Sequence, residues 1–287
     1  WGLLTDSKAF GITILPARAH GMMDKTVEER MLKVIEAGVD QFGGEAIPEV
    51  LAKLVKDGKI SEARIDSSVR RLLRMKFQLG LFDQPFVDVE KASEIVGNKE
   101  FRKWAELSQR RAITLLKNDT AEGGYILPLK GKLKIYIRNI NPAVASRYAE
   151  VVDDPKRADI AVIRLDAPYE PRKGFLEQMF HHGDLDFKGK QKEEILRLLN
   201  KVPTIVDIYL DRPAVIPEIA ADAVALLADF GANDEAVMDV VFGKSRPEGN
   251  LPFELPSSMD AVRNQKEDVP YDSEKPLFPF GFGLRYR

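Results

Sequence analysis

The sequence predicts an α/β protein built on a mostly parallel sheet with helices on both faces. Four short runs rich in β-branched and aliphatic residues recur in its second half: KIYI (134–137), IAVIRL (160–165), TIVDIYL (204–210) and AVALLADF (223–230). Segments with helical spacing separate or follow them, near Ala143–Glu150, Lys190–Asn200, Ile216–Ala221 and Glu235–Phe242. Continuously apolar strands alternating with helices are what a sheet buried on both faces requires. The length, 287 residues of which 44% are hydrophobic, suffices for one large or two medium domains.

Residues 1–25 carry no steady period and read as a long loop. Thr26–Ala37 reads as a helix, with Glu28 and Glu29 complementing the free N–H groups of its first turn and Met31, Leu32 and Ile35 on one face. Gly38 stops it, and VDQF (39–42) before Gly43-Gly44 is expected as a short buried strand. A helix from about Ile47 to Lys56 has Pro48 in its first turn and Gly58 beyond its end. Ser61 then caps a helix reaching about Leu79, with Ile65, Val69, Leu72 and Leu73 at helical spacing. This order, closed by GLFDQPF, is the tail of an alternating α/β unit with an exit linker. A second unit begins with a helix at Phe101–Ile113, followed by TLLKNDTAEGGYILPL, a polar loop between apolar runs. From Ser257 onward Pro, Gly and aromatic residues predict a packed, irregular tail.

Composition removes several function classes. With 43 basic and 45 acidic side chains the net charge is −2, so no clustered basic field is expected and no nucleic-acid partner. No apolar run approaches the length of a bilayer-spanning helix, so no membrane partner is expected. The absence of cysteine excludes disulfides, thiolate nucleophiles and Cys-ligated metals. Zero cysteine suits cytoplasmic, periplasmic and secreted proteins alike. No Walker loop or GxGxxG occurs, so the parallel sheet is not expected to hold a nucleotide, and no cofactor is expected. Trp1 opens the chain without Met or a signal-peptide pattern, which leads us to expect a processed, cleaved or excerpted chain with any targeting sequence upstream.

Five ordered segments resemble glycoside hydrolase family 3, the β-glucosidase and β-xylosidase type. IDSSVRRLLRMKFQLGLFDQP (65–85) is similar to the family's exit helix from its barrel. LSQRRAITLLKN with LPL downstream (107–118, 127–129) resembles the entry to its second domain. Asp211-Arg212-Pro213 falls where the family often has Gly-Arg-Pro. FGANDEAVMDVVFGKSRPEGNLPFELP (230–256) resembles the closing segment of that domain, and PLFPFGFGLRY (276–286) its terminal sequence. EAGVDQFGG (36–44) is also similar to a late barrel strand. The resemblance implies the tail of a (β/α)8-type barrel over residues 1–85, a linker over 86–100, an α/β/α sandwich over 101–256 and a tail over 257–287. A complete barrel takes ~250 residues, so most of one would lie outside this chain.

The resemblance also implies a chemistry. A retaining glycosidase works with two carboxyl groups ~5–5.5 Å apart, one attacking the anomeric carbon and the other acting as acid and then base. In the family the attacker is the Asp of Ser-Asp-Trp-Gly, so Trp1-Gly2 places it immediately before Trp1. Asp6 is not promoted to that role; its loop neighbours predict a solvated or capping carboxylate. The acid/base comes from a loop of the second domain, here DAPYEPRKGFLEQMFHHGDLDFKGK (166–190). Glu170, two residues before Arg172, best fits it, and Glu177 competes. Trp1, His20, Arg172, His181 and His182 are the expected sugar contacts. His181, His182, Asp184 and Asp186 match no tight metal spacing, so no metal is expected.

The expected activity is retaining cleavage of terminal β-linked glucose or xylose from oligosaccharides and glycosides. The expected partners are that substrate and an N-terminal barrel portion of the same protein, with a homodimer open. The competing class is a non-catalytic carbohydrate-binding or structural module on the same fold. Another activity within the family, N-acetylglucosaminidase, is disfavoured because those members commonly lack a counterpart of residues 101–287.

Overall fold

The computed structural model describes all residues except 1–3, 10–11, 16, 20, 44, 122–123, 174–176, 267 and 287. The chain divides into two compact units, residues 1–93 and 94–287. In the first, β1 (Ser7–Ala9) and β2 (Ile12–Leu15) pair antiparallel where a loop was expected. Asp6 accepts the Ala17 N–H at 2.8 Å beside this hairpin. Then come α1 (Val27–Glu36), α2 (Pro48–Lys56) and α3 (Glu62–Gln78). Thr26 and Glu29 form a reciprocal capping box at the start of α1, and Ser61 caps α3 through the Arg64 N–H. Leu4, Met31, Ile35, Leu54 and Ile60 make this unit's buried core.

VDQF (39–42) is not a strand. Among the described residues no strand pairs with it; side chains of α3 hold it instead. Asp40 accepts hydrogen bonds from Ser68 Oγ at 2.7 Å and Arg71 Nη1 at 2.6 Å. The Ser68 hydroxyl lowers the Asp40 pKa, with Arg71 adding to it, although burial opposes both. The other face of α3 leaves Val69, Leu73 and Phe77 exposed along a groove of about 500 Å³. The stretch expected as a linker holds a further helix, α4 (Val89–Ile95).

The second unit starts with α5 (Lys99–Ala112), β3 (Thr114–Asn118) and a small hairpin of β4 (Thr120–Ala121) and β5 (Gly124–Tyr125). It continues through β6 (Lys134–Arg138), α6 (Pro142–Ala145), β7 (Glu150–Val152), β8 (Ile160–Asp166), α7 (Gly189–Leu199) and β9 (Thr204–Tyr209). It ends with α8 (Pro217–Asp222), β10 (Ala225–Asp229), α9 (Asp234–Val241) and, within the tail expected to be irregular, α10 (Met259–Asn264). Six strands form one sheet in the order β3-β10-β9-β8-β6-β7. Only β3 runs antiparallel to its neighbour.

The expected helix at Ala143–Glu150 is four residues long because Glu150–Val152 joins the sheet edge as β7, with the Glu150 N–H on Leu133 O. Two apolar layers cover the sheet. On one face Ile163 and Leu165 pack with Ile195 and Leu199 of α7 and Ile219 of α8. On the other, Ile160 and Val162 meet Val237, Val240 and Val241 of α9. This alternation along β8 is the two-sided burial its unbroken apolar run predicts.

The segments that carry the family resemblance are the joints of this unit. Asn118 clamps both the N–H and the C=O of Leu127 at 2.9 and 3.0 Å, joining LLKN to LPL. Arg110 of α5 reaches Asp239 of α9 at 2.6 Å, and Tyr148 donates to the same carboxylate at 2.5 Å. Burial opposes its charge, yet these donors hold the Asp239 carboxyl below its ordinary range. Gly249 lies so close to Ala112 that a Cβ would stand 2.2 Å from its carbonyl oxygen. A side chain there would have to push the backbone of α5's end aside.

Candidate active site

Open parallel sheets bind ligands beyond the carboxyl ends of their strands. The segment that leaves β8 at that edge, 167–188, is the one expected to supply an acid/base. Glu170 has a specific seat in it. Its N–H donates to His182 O at 2.8 Å, and its Oε1 accepts from Lys188 Nζ at 2.9 Å. Gly183 has a φ of +81°, and a Cβ there would stand 2.6 Å from Glu170 Cδ and Oε2. Glycine therefore serves twice, taking the left-handed turn and leaving room for the carboxyl. Lys188 also reaches Asp184 at 2.5 Å. The Lys188 hydrogen bond and charge draw the Glu170 carboxyl below its ordinary pKa, and Lys188 is correspondingly raised.

The 181–183 turn is held from below by the Asp-Arg-Pro segment. Asp211 Oδ2 lies 2.5 Å from His181 Nδ1, and Arg212 Nη2 donates to Gly183 O at 2.7 Å. His181 stacks on Tyr169 with ring centroids 3.8 Å apart and 7° between planes. Among the described residues, His182 Nε2 is buried without a hydrogen-bond partner. Beyond the turn, Asp186 pairs with Val215 in a parallel bridge, and the Leu185 N–H reaches the Met259 sulfur at 3.2 Å. Four residues singled out in the sequence, Glu170, His181, His182 and Asp211, thus share one small region.

The other candidates fare differently. Glu177 lies in a short 3₁₀ turn (Glu177–Met179) after the undescribed residues 174–176, and its side chain is outside the described set. Arg172 is exposed. Trp1 and His20 lie outside the described residues. Among the described residues no three His, Asp or Glu side chains converge as metal ligands.

Sequence reasoning missed a charged cluster next to this loop. Arg164 of β8 reaches Asp207 at 2.9 Å, Asp229 at 3.0 Å and Asp234 at 2.7 Å. Asp207 and Asp229 are wholly buried, and Arg164 and Asp207 stand opposite one another in the β8–β9 register. Burial first and the Asp229 charge second push the Asp207 carboxyl well above its ordinary pKa, against the opposing pull of the Arg164 charge. Asp229 also turns the chain after β10, accepting the N–H groups of Gly231 and Ala232 at 2.8 and 2.7 Å. A signal was present: Arg164 and Asp207 interrupt two otherwise apolar strands, and a charge in such a strand needs a charged partner.

An open, mostly parallel sheet, with a seated glutamate on a strand-end loop beside the stacked Tyr169 and His181 rings, defines an α/β domain. The chain belongs to glycoside hydrolase family 3, residues 136–286 matching the Glycosyl hydrolase family 3 C-terminal domain. It is 50% identical over 290 residues to the "Probable beta-glucosidase C" of Aspergillus flavus, covering 100% of this chain and 45% of that protein. It is 42% identical over 269 residues to the periplasmic beta-glucosidase/beta-xylosidase of Dickeya chrysanthemi, covering 92% of this chain and 40% of that one. The crystal structure of a beta-glucosidase from Listeria innocua in complex with glucose has the same fold, with a TM-score of 0.62 at 20% identity over 90% of this chain and 44% of that one. The chain therefore spans less than half the length of the relatives it matches.

Proposed function

We propose that this chain is the C-terminal portion of a retaining β-glucosidase, acting on terminal β-linked glucose or xylose in oligosaccharides and glycosides, and that Glu170 is its acid/base. The seat of Glu170 carries the reading. On an exposed strand-end loop, the Glu170 backbone N–H is tied to the His182 carbonyl, its carboxyl is held by Lys188, and Gly183 makes room for that carboxyl. The relatives named for β-glucosidase and β-xylosidase activity support the substrate class.

In this reading residues 1–85 close a (β/α) barrel and 101–256 form a separate sandwich. The attacking Asp, with Trp1 beside it, belongs to the barrel portion. Glu170 protonates the glycosidic oxygen as that Asp forms the glycosyl-enzyme; the leaving group departs with the proton, and Glu170, now ionised, takes one from the attacking water. The Lys188-paired, ionised carboxylate matches the second state. Protonation for the first requires the substrate to displace Lys188 and dry the site, which raises a carboxyl's pKa. His181, His182 and Arg172 supply polar contacts to the sugar.

The test uses the complete enzyme with Glu170→Ala and added azide. A small anion needs no general base to attack the glycosyl-enzyme, so β-glucosyl azide should accumulate and turnover of an activated aryl glycoside should recover. Wild-type behaviour of Glu170→Ala, with azide product from Glu177→Ala, would transfer the role to Glu177. No glycosyl-enzyme in the wild-type protein would favour a non-catalytic module.

A further inference from the structure

We propose that the crevice between the ends of β6 and β8 is a saccharide cleft for the outer units of an oligosaccharide leaving group, beyond the sugar next to the cleaved bond. This rests on the reading of Glu170 as acid/base. From β6 the chain crosses to β7 on one side and then returns past β6 to β8 on the other. Where successive crossovers diverge, the connections part and leave a crevice at the carboxyl edge of the sheet.

A cavity of about 400 Å³ occupies this place, lined by Arg138, Asn139, Asp166, Tyr169 and Gln191 among others. A second of about 340 Å³, lined by Arg164 and Tyr209, shares Asn139, Leu165 and Asp166 with it. The two form one groove across the ends of β6, β8 and β9. Tyr169 and Pro171, the sequence neighbours of Glu170 on either side, both line the first cavity, so the groove runs past the segment that carries the proposed acid/base. Asn139 takes a left-handed φ of 58°, and its amide donates to Arg164 O at 2.8 Å, fixing that side chain where the cavities meet.

The lining selects the ligand class. Crevices of this topology often hold phosphates at a helix N-terminus, but here that position is taken. The Asn141 carboxamide accepts the Ala143 N–H at 2.9 Å, and the Asn141 N–H already donates to Asp234 at 2.9 Å. The Arg164 guanidinium is claimed by three aspartates, and Asp166 adds a negative charge to the groove. An anion would meet the Asp166 carboxylate and a guanidinium already paired with three others, and no free helix N-terminus. A neutral ligand rich in hydroxyls meets carboxamide, carboxylate and guanidinium groups that pair with vicinal diols, beside the apolar ring of Tyr169.

The experiment compares kcat/KM of the complete enzyme on β-1,4-linked gluco-oligosaccharides of two to five units, for wild type and for Asp166→Ala combined with Gln191→Ala. Both side chains are exposed, so the fold is not at stake, and an unchanged melting midpoint checks this. The ratio of kcat/KM for the pentasaccharide to that for the disaccharide should fall about tenfold, the loss of two modest hydrogen bonds. An unchanged ratio, or a wild-type enzyme indifferent to chain length, overturns the proposal. Calorimetric titration of the 287-residue chain with cellotetraose reads the groove without catalysis: binding abolished by the double substitution supports it, and no binding counts against it. If azide yields no product from Glu170→Ala while cellotetraose still binds, the acid/base reading fails and the groove stands as a binding site. If azide product forms and the length ratio is unmoved, the groove alone fails.

Discussion

The joints of the second unit and the loop that carries Glu170 are built from similar residue types and behave oppositely. In the joints, charge is buried and matched: Arg164 faces two wholly buried aspartates, and Arg110 meets a nearly buried Asp239. In the loop, Glu170 and Lys188 keep half their side-chain surface, and three acidic side chains lie around one lysine. Buried pairs cost much to break and exposed ones little. The joints are therefore fixed by burial, whereas the loop of Glu170 keeps its charged groups open to solvent.

Arg164→Met should break the sharpest part of that contrast. It leaves Asp207, Asp229 and Asp234 without their cation, and loss of one partner from a buried ionic cluster costs ~3–5 kcal/mol. Urea unfolding should show that loss; a change below ~1 kcal/mol would mean that the cluster is not the fixed element described here.

Gly183→Ala carries the next effect. The added methyl meets the Glu170 carboxyl at 2.6 Å and strains a left-handed residue. We expect ~1–2 kcal/mol of stability to be lost and kcat to fall at least tenfold on unactivated glycosides. Full activity would mean that the observed seat of Glu170 is not the one used in catalysis.

Asp207→Asn should have the smallest effect on stability, because a raised pKa already favours the neutral form of Asp207 and the carboxamide keeps one acceptor and gains donors. Its folded-state pKa is raised, so the proton-linked stability is fully present below the unfolded pKa, about 3.9, and is lost as pH rises through the folded value. The variant lacks that loss. Its stability relative to wild type should therefore improve as pH rises above the unfolded carboxyl's pKa of about 3.9. A relative stability that stays flat as pH rises above about 5 would show Asp207 to be ionised in the native state.

The same contrast explains what could be read in the sequence. The sheet and its helices were legible because β8, β9 and β10 are predominantly apolar runs, and Ser61 and the acidic first turn of α1 are local signals. The β1–β2 hairpin was not, since its short strands carry no steady alternation, nor were β7 and the irregular 39–42 segment, which depend on residues remote in sequence: Leu133 for β7, Ser68 and Arg71 for Asp40. In the site, a strand-end loop pointed to Glu170, but nothing local reveals that Lys188, Gly183 and Asp211 converge on its surroundings. The Arg164 cluster was missed because its members are 43, 65 and 70 residues apart from that arginine.

The dependence of rate on leaving group in Glu170→Ala tests the central claim most directly, that the mobile-proton chemistry resides in this loop and not in the buried joints. In the complete enzyme, kcat/KM should be followed across aryl β-glucosides whose leaving-group pKa runs from about 5 to about 10. Without a proton donor the departing oxygen carries full negative charge, so the variant should approach wild type on the best leaving groups and fall behind by ~10²–10⁴-fold on the poorest. A uniform loss across the series, with the wild-type slope retained, would contradict the assignment and leave Glu170 a structural residue.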